Sequence, residues 1–157
     1  MFLFIDPSVN GKLSLILATP QRRISHVTYN ISGHHSKSIL SCVVKFMKRV
    51  DDSLAALDGL IVINGTGSFT TTRLTVSVVN TIGWLYDLPI YSFPATKEIF
   101  TFLYEPFGRL EKATFFAPFR SVGPVRGSTL RVGSRRKFRN FIKPVYSGRP
   151  NITVKKL

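Results

Sequence analysis

The stretch Gly59–Arg73, GLIVINGTGSFTTTR, decides the fold, because it joins a strand pattern directly to a helix pattern. Leu60–Ile63 is a short apolar run typical of a buried strand. Two glycines, Gly65 and Gly67, follow it. From Thr72 to Leu85 the apolar residues then recur at helical spacing. A strand, a glycine turn and a helix in this order predict one crossover of an α/β sheet.

A glycine turn between a strand and a helix sometimes holds a phosphate group. A Walker loop needs a lysine and a hydroxyl residue directly after its last glycine, but here Ser68 and Phe69 follow Gly67. The dinucleotide fingerprint needs three spaced glycines and a later acidic ribose ligand, and this turn has two glycines. The sequence therefore favours a corner over a phosphate site. Ser68 and Thr70 are expected to satisfy free amides where the helix begins.

The segment before this stretch predicts an antiparallel meander. Residues 1–5 and Lys12–Ala18 are apolar runs, and Asn10-Gly11 between them is a strong hairpin signal. Ile24–Ile31 alternates between apolar and polar residues, as a half-buried strand does. Three consecutive strands are expected.

Two more elements complete the predicted domain. Ser36–Val50 has apolar residues at helical spacing and lysines and arginines elsewhere on the cylinder. Leu88–Phe93, which contains Pro89, is expected to be the last strand. The order β-β-β-α-β-α-β predicts an α/β fold with a mixed sheet and helical crossovers.

The net charge of +14 is concentrated in the second part of the chain. Residues 1–95 carry eight Lys and Arg against five Asp and Glu, whereas residues 96–157 carry fourteen against three. We expect a domain over 1–95 and a divergent, strongly basic C-terminal remnant or extension over 96–157. Such asymmetry indicates a polyanion or an acidic partner near the second part.

Arginine and lysine interleaved with aromatic residues in this basic part are typical of RNA binding. A solvated extension, or one docked on an acidic protein, is an equal alternative. The candidate RNA contacts are Arg126, Arg131, Arg135, Arg136, Lys137, Arg139 and Lys143.

Residue types that carry enzyme chemistry are few. His34 and His35 are adjacent rather than one helical turn apart, so a metal site is not expected. Asp6 at the end of the first strand is expected to cap a turn, although a carboxylate there could also hold a metal-bound phosphate. The single cysteine, Cys42, lies in a helical apolar stripe, where a buried inert thiol is expected. The sequence predicts no catalytic residue and no metal site.

The motifs taken in order resemble the bacterial TsaB (YeaZ) family of tRNA threonylcarbamoyladenosine biosynthesis proteins. The family opens on Ile-Asp-Thr-Ser, which reads here as Ile5-Asp6-Pro7-Ser8, and has a His-Ser pair that falls on His35-Ser36. Its signature Gly-Pro-Gly-Ser-Phe-Thr-Gly-Leu-Arg reads here as Gly65-Thr66-Gly67-Ser68-Phe69-Thr70-Thr71-Thr72-Arg73. The resemblance covers about residues 1–95. Further departures are Thr75 and Thr81 at small glycine positions and Asn80 at a lysine.

This resemblance implies an actin-like (ASKHA, ribonuclease-H-like) subdomain, with the family's second subdomain truncated. It also implies a non-catalytic scaffold that binds the transferase TsaD as a heterodimer and is joined by TsaE. TsaD transfers threonylcarbamoyl to the tRNA adenosine beside the anticodon. No cofactor is expected on this chain, since ATP and a divalent metal would be used by partner subunits.

In the family the two helices dock on the partner as a four-helix bundle. The resemblance therefore implies interface residues on both helices, and the threonines at 75 and 81 indicate a face retuned for a divergent partner. The implied interface is Ile39, Leu40, Val43, Val44, Met47, Leu74, Val78, Ile82 and Gly83.

Several alternatives stay open at this point. The chain could be a stand-alone RNA-binding protein that uses the basic segment, and it could form a homodimer when TsaD is absent. No apolar run reaches the ~20 residues that cross a bilayer, and residues 1–5 lack a basic leader, so a cytoplasmic location without membrane contact is expected. Arg73, in a helix's first turn, is expected to have a specific acceptor in the fold or on a partner.

Overall fold

The computed structural model describes residues 1–20, 22–31, 35–65, 67–94 and 141–146, with the backbone alone for 35–38. A five-stranded sheet has the order β3-β2-β1-β4-β5. β1–β2 and β2–β3 are antiparallel, whereas β1–β4 and β4–β5 are parallel. The predicted mixed α/β class is confirmed. The strands are β1 Phe2–Asp6, β2 Lys12–Ala18, β3 Arg23–Asn30, β4 Gly59–Asn64 and β5 Ile90–Pro94.

Two helices provide the crossovers, α1 at His35–Arg49 and α2 at Phe69–Tyr86, and a short 3-10 turn precedes β4. Helix α2 begins three residues before the predicted pattern, because Ser68 caps it. The Ser68 hydroxyl oxygen accepts a hydrogen bond from the Thr71 amide at 3.2 Å. The helix ends at Tyr86, and its C-cap residue Asp87 has a left-handed φ of 53°. Within the described ranges, neither helix has the length and apolar content needed to cross a membrane.

Both helices pack on one face of the sheet. Leu3, Leu15 and Val62 point to this face and join Val43 of α1 and Val79 of α2 in a single buried cluster. The opposite face is apolar too, and Phe4, Ile16 and Ile61 on it are fully buried.

The predicted hairpin between β1 and β2 is confirmed. Phe2 pairs with Ala18 and Asp6 with Ser14, and the Lys12 amide closes the turn by donating to the Val9 carbonyl at 3.0 Å. Gly11 has a φ of +69°, which a residue with a side chain adopts only at a cost.

Residues 141–146, which we call the strap, return to the sheet from the basic part of the chain. Tyr146 forms a parallel bridge with Gly65, just after β4. Ile142 packs against the core cluster. This piece of the segment 96–157 is therefore joined to the unit formed by residues 1–94.

Candidate functional site

The glycine turn after β4 is a tightly packed corner. Gly65 has a φ of +114°, which favours glycine. A Cβ on Gly67 would collide with the Pro7 carbonyl oxygen and lie 3.0 Å from the Thr72 hydroxyl oxygen. The absence of a side chain at Gly67 lets the chain pass close to the β1–β2 turn, as the predicted corner requires.

Asp6 caps the turn after β1. Its carboxylate is buried and accepts a hydrogen bond from the Ser8 amide at 2.8 Å, the geometry of an Asx turn. Among the described residues, no three side chains of the types His, Cys, Asp and Glu lie close enough together to share a metal ion. His34 and the side chain of His35 lie outside the described residues.

A polar row crosses β2 and β3 next to this turn. The Ser14 and Thr28 hydroxyl oxygens are 2.9 Å apart, and the Thr28 oxygen is 3.2 Å from His26 Nε2. Burial, together with the neighbouring Arg23 guanidinium, lowers the pKa of His26, and the Asp6 carboxylate opposes this shift. The neutral imidazole is thus favoured in the folded chain.

We expect His26 to make stability depend on pH. Its pKa is lower in the folded chain than the ordinary value of about 6.5 in the unfolded chain. The unfolded chain then binds the proton more readily, so stability is full above about pH 6.5 and falls as the pH drops below it. Urea unfolding midpoints measured on both sides of this value should show the loss. His26→Gln should reduce it, and an unchanged pH dependence in this variant would contradict the assignment.

Cys42 is buried in α1, as predicted. Burial raises the pKa of its thiol, and the Lys45 ammonium opposes this only in part. Because the thiolate is the reactive form, Cys42 behaves as a packing residue.

The implied interface residues divide into two groups in the structure. The first group is buried against the chain's own sheet and comprises Ile39, Val43, Met47, Ile82 and Gly83. The side chains of the second group are partly exposed to solvent. Leu40 is 47% exposed and Val44 is 38% exposed on α1, while Leu74 and Val78 on α2 are half-buried. Of the implied interface residues, the second group therefore has the apolar surface that a partner could reach.

Gly83 serves the chain's own packing. A Cβ there would lie 2.5 Å from Ile90 Cδ1 and 3.2 Å from the Leu88 carbonyl oxygen, so the glycine lets α2 approach β5. Thr75 of α2 is fully buried. Thr81 of the same helix is exposed, and its hydroxyl donates to the Ser77 carbonyl at 2.9 Å. Of the two threonines, only Thr81 lies where a partner could touch it.

Two asparagine side chains hold the strap, and the sequence did not predict this. Asn64, at the end of β4 and 2% exposed, donates through Nδ2 to the Lys143 carbonyl at 2.9 Å and to Ser92 Oγ at 3.0 Å. Its Oδ1 accepts from the Val145 amide at 2.9 Å. Each amide thus pairs with the strap backbone much as another strand would.

Asn80 repeats the arrangement on α2. Its Nδ2 donates to the Ile142 carbonyl at 3.0 Å, and its Oδ1 accepts from the Ile142 amide at 3.1 Å. In the sequence, these two contacts are indicated only by an amide side chain among apolar residues, Asn64 at the end of a strand and Asn80 within a helix. We call Asn64 and Asn80 the asparagine clamps.

Of the seven candidate RNA contacts, Lys143 lies in the strap and is exposed. The other six lie outside the described residues. Arg73 is exposed on the first turn of α2, and its guanidinium has no hydrogen-bond or ion-pair acceptor among residues of the described ranges. The acceptor expected within the fold is therefore not found in this part of the chain.

The fold matches solved structures of YeaZ. One match is described as an uncharacterized protein with similarity to peptidase YeaZ from Pseudomonas aeruginosa, with a TM-score of 0.57 and 21% sequence identity, covering 68% of this chain and 49% of that one. YeaZ from Pseudomonas aeruginosa has a TM-score of 0.55 at 21% identity, covering 64% of this chain and 46% of that one. The match thus spans about half the length of each of these proteins. No family model matches the sequence, and no curated protein matches it. The resemblance to the TsaB (YeaZ) family is confirmed at the level of the fold.

Proposed function

We propose that this chain is a TsaB-like scaffold subunit with an actin-like fold that binds TsaD and supports threonylcarbamoyl transfer to the tRNA adenosine beside the anticodon. The chain itself performs no catalysis in this proposal. TsaE would join the complex, and ATP and the divalent metal would be used by the partner subunits. Support comes from the YeaZ-like fold and from the signature Gly65–Arg73 at its corner.

The observation that carries the proposal is a second apolar row on each helix. Helix α1 leaves Leu40 and Val44 exposed after its core row is buried. On α2, Val78 lies four residues after Leu74 and Leu85 lies eleven residues after it, which places the three along one side of the helix. Leu85 is 59% exposed. Because α1 and α2 pack against each other, the two rows are suited to a pair of partner helices.

We expect Leu40→Glu to weaken binding to TsaD by about thirtyfold, which corresponds to roughly 2 kcal/mol for a charge placed in an apolar interface. Leu40→Met is the matched control, since it keeps an apolar side chain at the same position and should bind normally. Isothermal titration calorimetry with purified TsaD measures the difference. Unfolding midpoints of the two variants should agree, because Leu40 is exposed in the single chain.

Salt provides an independent check on the same interface. Buried apolar contacts are insensitive to screening, whereas contacts between exposed charges weaken. The complex should therefore survive high ionic strength. A complex that dissociates in salt, together with normal binding by Leu40→Glu, would contradict the proposed interface. A stable homodimer that Leu40→Glu disrupts would instead assign the face to self-association.

A further inference from the structure

Helix α2 and the strap together form an exposed surface, which we call the strap surface. Arg73 lies four residues after Phe69, and Trp84 lies eleven residues after Arg73. Residues at these spacings lie on nearly the same side of an α-helix, so one side of α2 carries two aromatic residues and a cation. The strap runs beside this side in the opposite direction, with Ile142 bonded to Asn80 and Tyr146 at the start of the helix. The strap surface consists of Phe69, Arg73, Trp84, Phe141, Lys143 and Tyr146.

Four residues of this surface are aromatic. Phe69 and Tyr146 stack with their ring centroids 4.3 Å apart and their planes inclined by 25°. Trp84 is 63% exposed and Phe141 is 59% exposed. Groups of large exposed apolar side chains mark interaction sites. Aromatic faces held by a helix and a clamped segment are also platforms on which nucleic-acid bases stack.

The charge of the surface is entirely positive. No Asp or Glu occurs between Gly65 and Tyr86 or within the strap. The side chains of Arg73 and Lys143 have no acidic partner among the residues that the structure describes. An apolar protein partner would bury these cations unpaired, which costs free energy, whereas phosphate groups would pair with them.

The strap surface thus combines aromatic faces with two exposed cations, Arg73 and Lys143. Within the described residues, cations beside aromatic faces in this way are complementary to a polyanion that carries bases.

We propose that the strap surface binds single-stranded RNA, with bases stacked on Trp84 and Phe141 and phosphates paired with Arg73 and Lys143. A duplex keeps its bases stacked on each other and offers no free face to these rings. The proposal goes beyond the scaffold function, because it requires no protein partner. It also uses the other flank of α2, about 130° around the helix from the row of Leu74, Val78 and Leu85.

Fluorescence anisotropy with the full chain tests this proposal, using a labelled RNA of mixed sequence about 12 nucleotides long, within the usual site size of such proteins. The same RNA annealed into a duplex should bind more weakly. Trp84→Ala and Phe141→Ala should each weaken single-strand binding about tenfold. Arg73→Ala should lower the slope of log affinity against log salt by about 0.7. Leu85→Ala, an exposed apolar residue on the other flank, is the control and should bind normally.

Normal RNA binding by a Trp84→Ala, Phe141→Ala double variant would overturn the proposal, as would an equal loss in Leu85→Ala. The proposal also fails if the double variant loses TsaD while its RNA binding is unchanged, since the surface would then be a protein interface. Leu40→Glu should leave RNA binding intact, so this proposal and the scaffold proposal fail separately. Both aromatic side chains are exposed, and circular dichroism should show folded variants. Truncation is unsuitable here, because it removes the strap.

Discussion

Replacing Asn64 with aspartate is expected to lower the free energy of unfolding by about 3 kcal/mol, because a buried amide that donates to the Lys143 carbonyl is replaced by a carboxylate of the same shape that repels it. Nδ2 donates to the Lys143 carbonyl and to Ser92 Oγ, and a carboxylate oxygen cannot donate to either. The Ser92 hydroxyl can turn and donate instead, so the repulsion falls on the Lys143 carbonyl. Urea unfolding followed by circular dichroism measures the loss.

Asn80→Asp is the matched control for this experiment. Asn80 is half-buried and donates a single hydrogen bond, to the Ile142 carbonyl. Asn80→Asp should therefore lower the free energy of unfolding by about 1 kcal/mol. The free energy of unfolding lost in Asn64→Asp should also become smaller at low pH, since a protonated carboxyl group can again donate a hydrogen bond. If Asn80→Asp costs as much as Asn64→Asp, the buried Asn64 clamp is not the main attachment of the strap.

Gly67→Ala is expected to cost about 3 kcal/mol, because the added methyl group collides with backbone that cannot move without shifting the β1–β2 turn. The new Cβ would meet the Pro7 carbonyl oxygen and lie 3.0 Å from the Thr72 hydroxyl oxygen. The φ of Gly67 lies outside the left-handed range. The predicted loss is therefore purely steric.

Gly11→Ala separates this steric effect from backbone conformation. Gly11 has a φ of +69° and no atom within 4 Å of an added Cβ, so its substitution should cost about 1–2 kcal/mol for the left-handed conformation alone. Thermal and urea unfolding of both variants compare the two effects. A Gly67→Ala variant as stable as Gly11→Ala would show that the Pro7 turn yields easily.

Hydropathy patterns predicted the strands and helices well, because the helices and β3 show their own period, while β1, β2 and β4 are continuous apolar runs. The start of α2 was the exception. Its apolar spacing begins only near Leu74, whereas the hydrogen bond from the Thr71 amide to Ser68 begins the helix at Phe69. The end of an element is set by a few specific hydrogen bonds, and a periodicity measured over many residues does not resolve them.

The division of interface from core could not be predicted in the same way. Ile39 and Leu40 are adjacent apolar residues of one wide stripe, yet Ile39 is fully buried and Leu40 is about half exposed. Which row faces the sheet depends on how the helix is rotated about its axis. That rotation is fixed by packing contacts, such as those of Ile39 and Val43 in the core cluster, which only the folded structure reveals.

The asparagine clamps were beyond sequence reasoning for another reason. They join side chains to backbone groups 62 to 81 residues away, and such pairing leaves no periodic trace. Asn80 departs from the family pattern. Its partner, Ile142, lies in the basic part of the chain, whose composition predicts RNA binding or an extension and no particular contact with α2.

The Asn64 clamp also makes one side chain a junction of the backbone. One Nδ2 atom bonds Ser92 Oγ and the Lys143 carbonyl, so β5 and the strap meet at the last residue of β4. Their relative position is thereby fixed at one side chain, and a substitution at Asn64 acts on both at the same time.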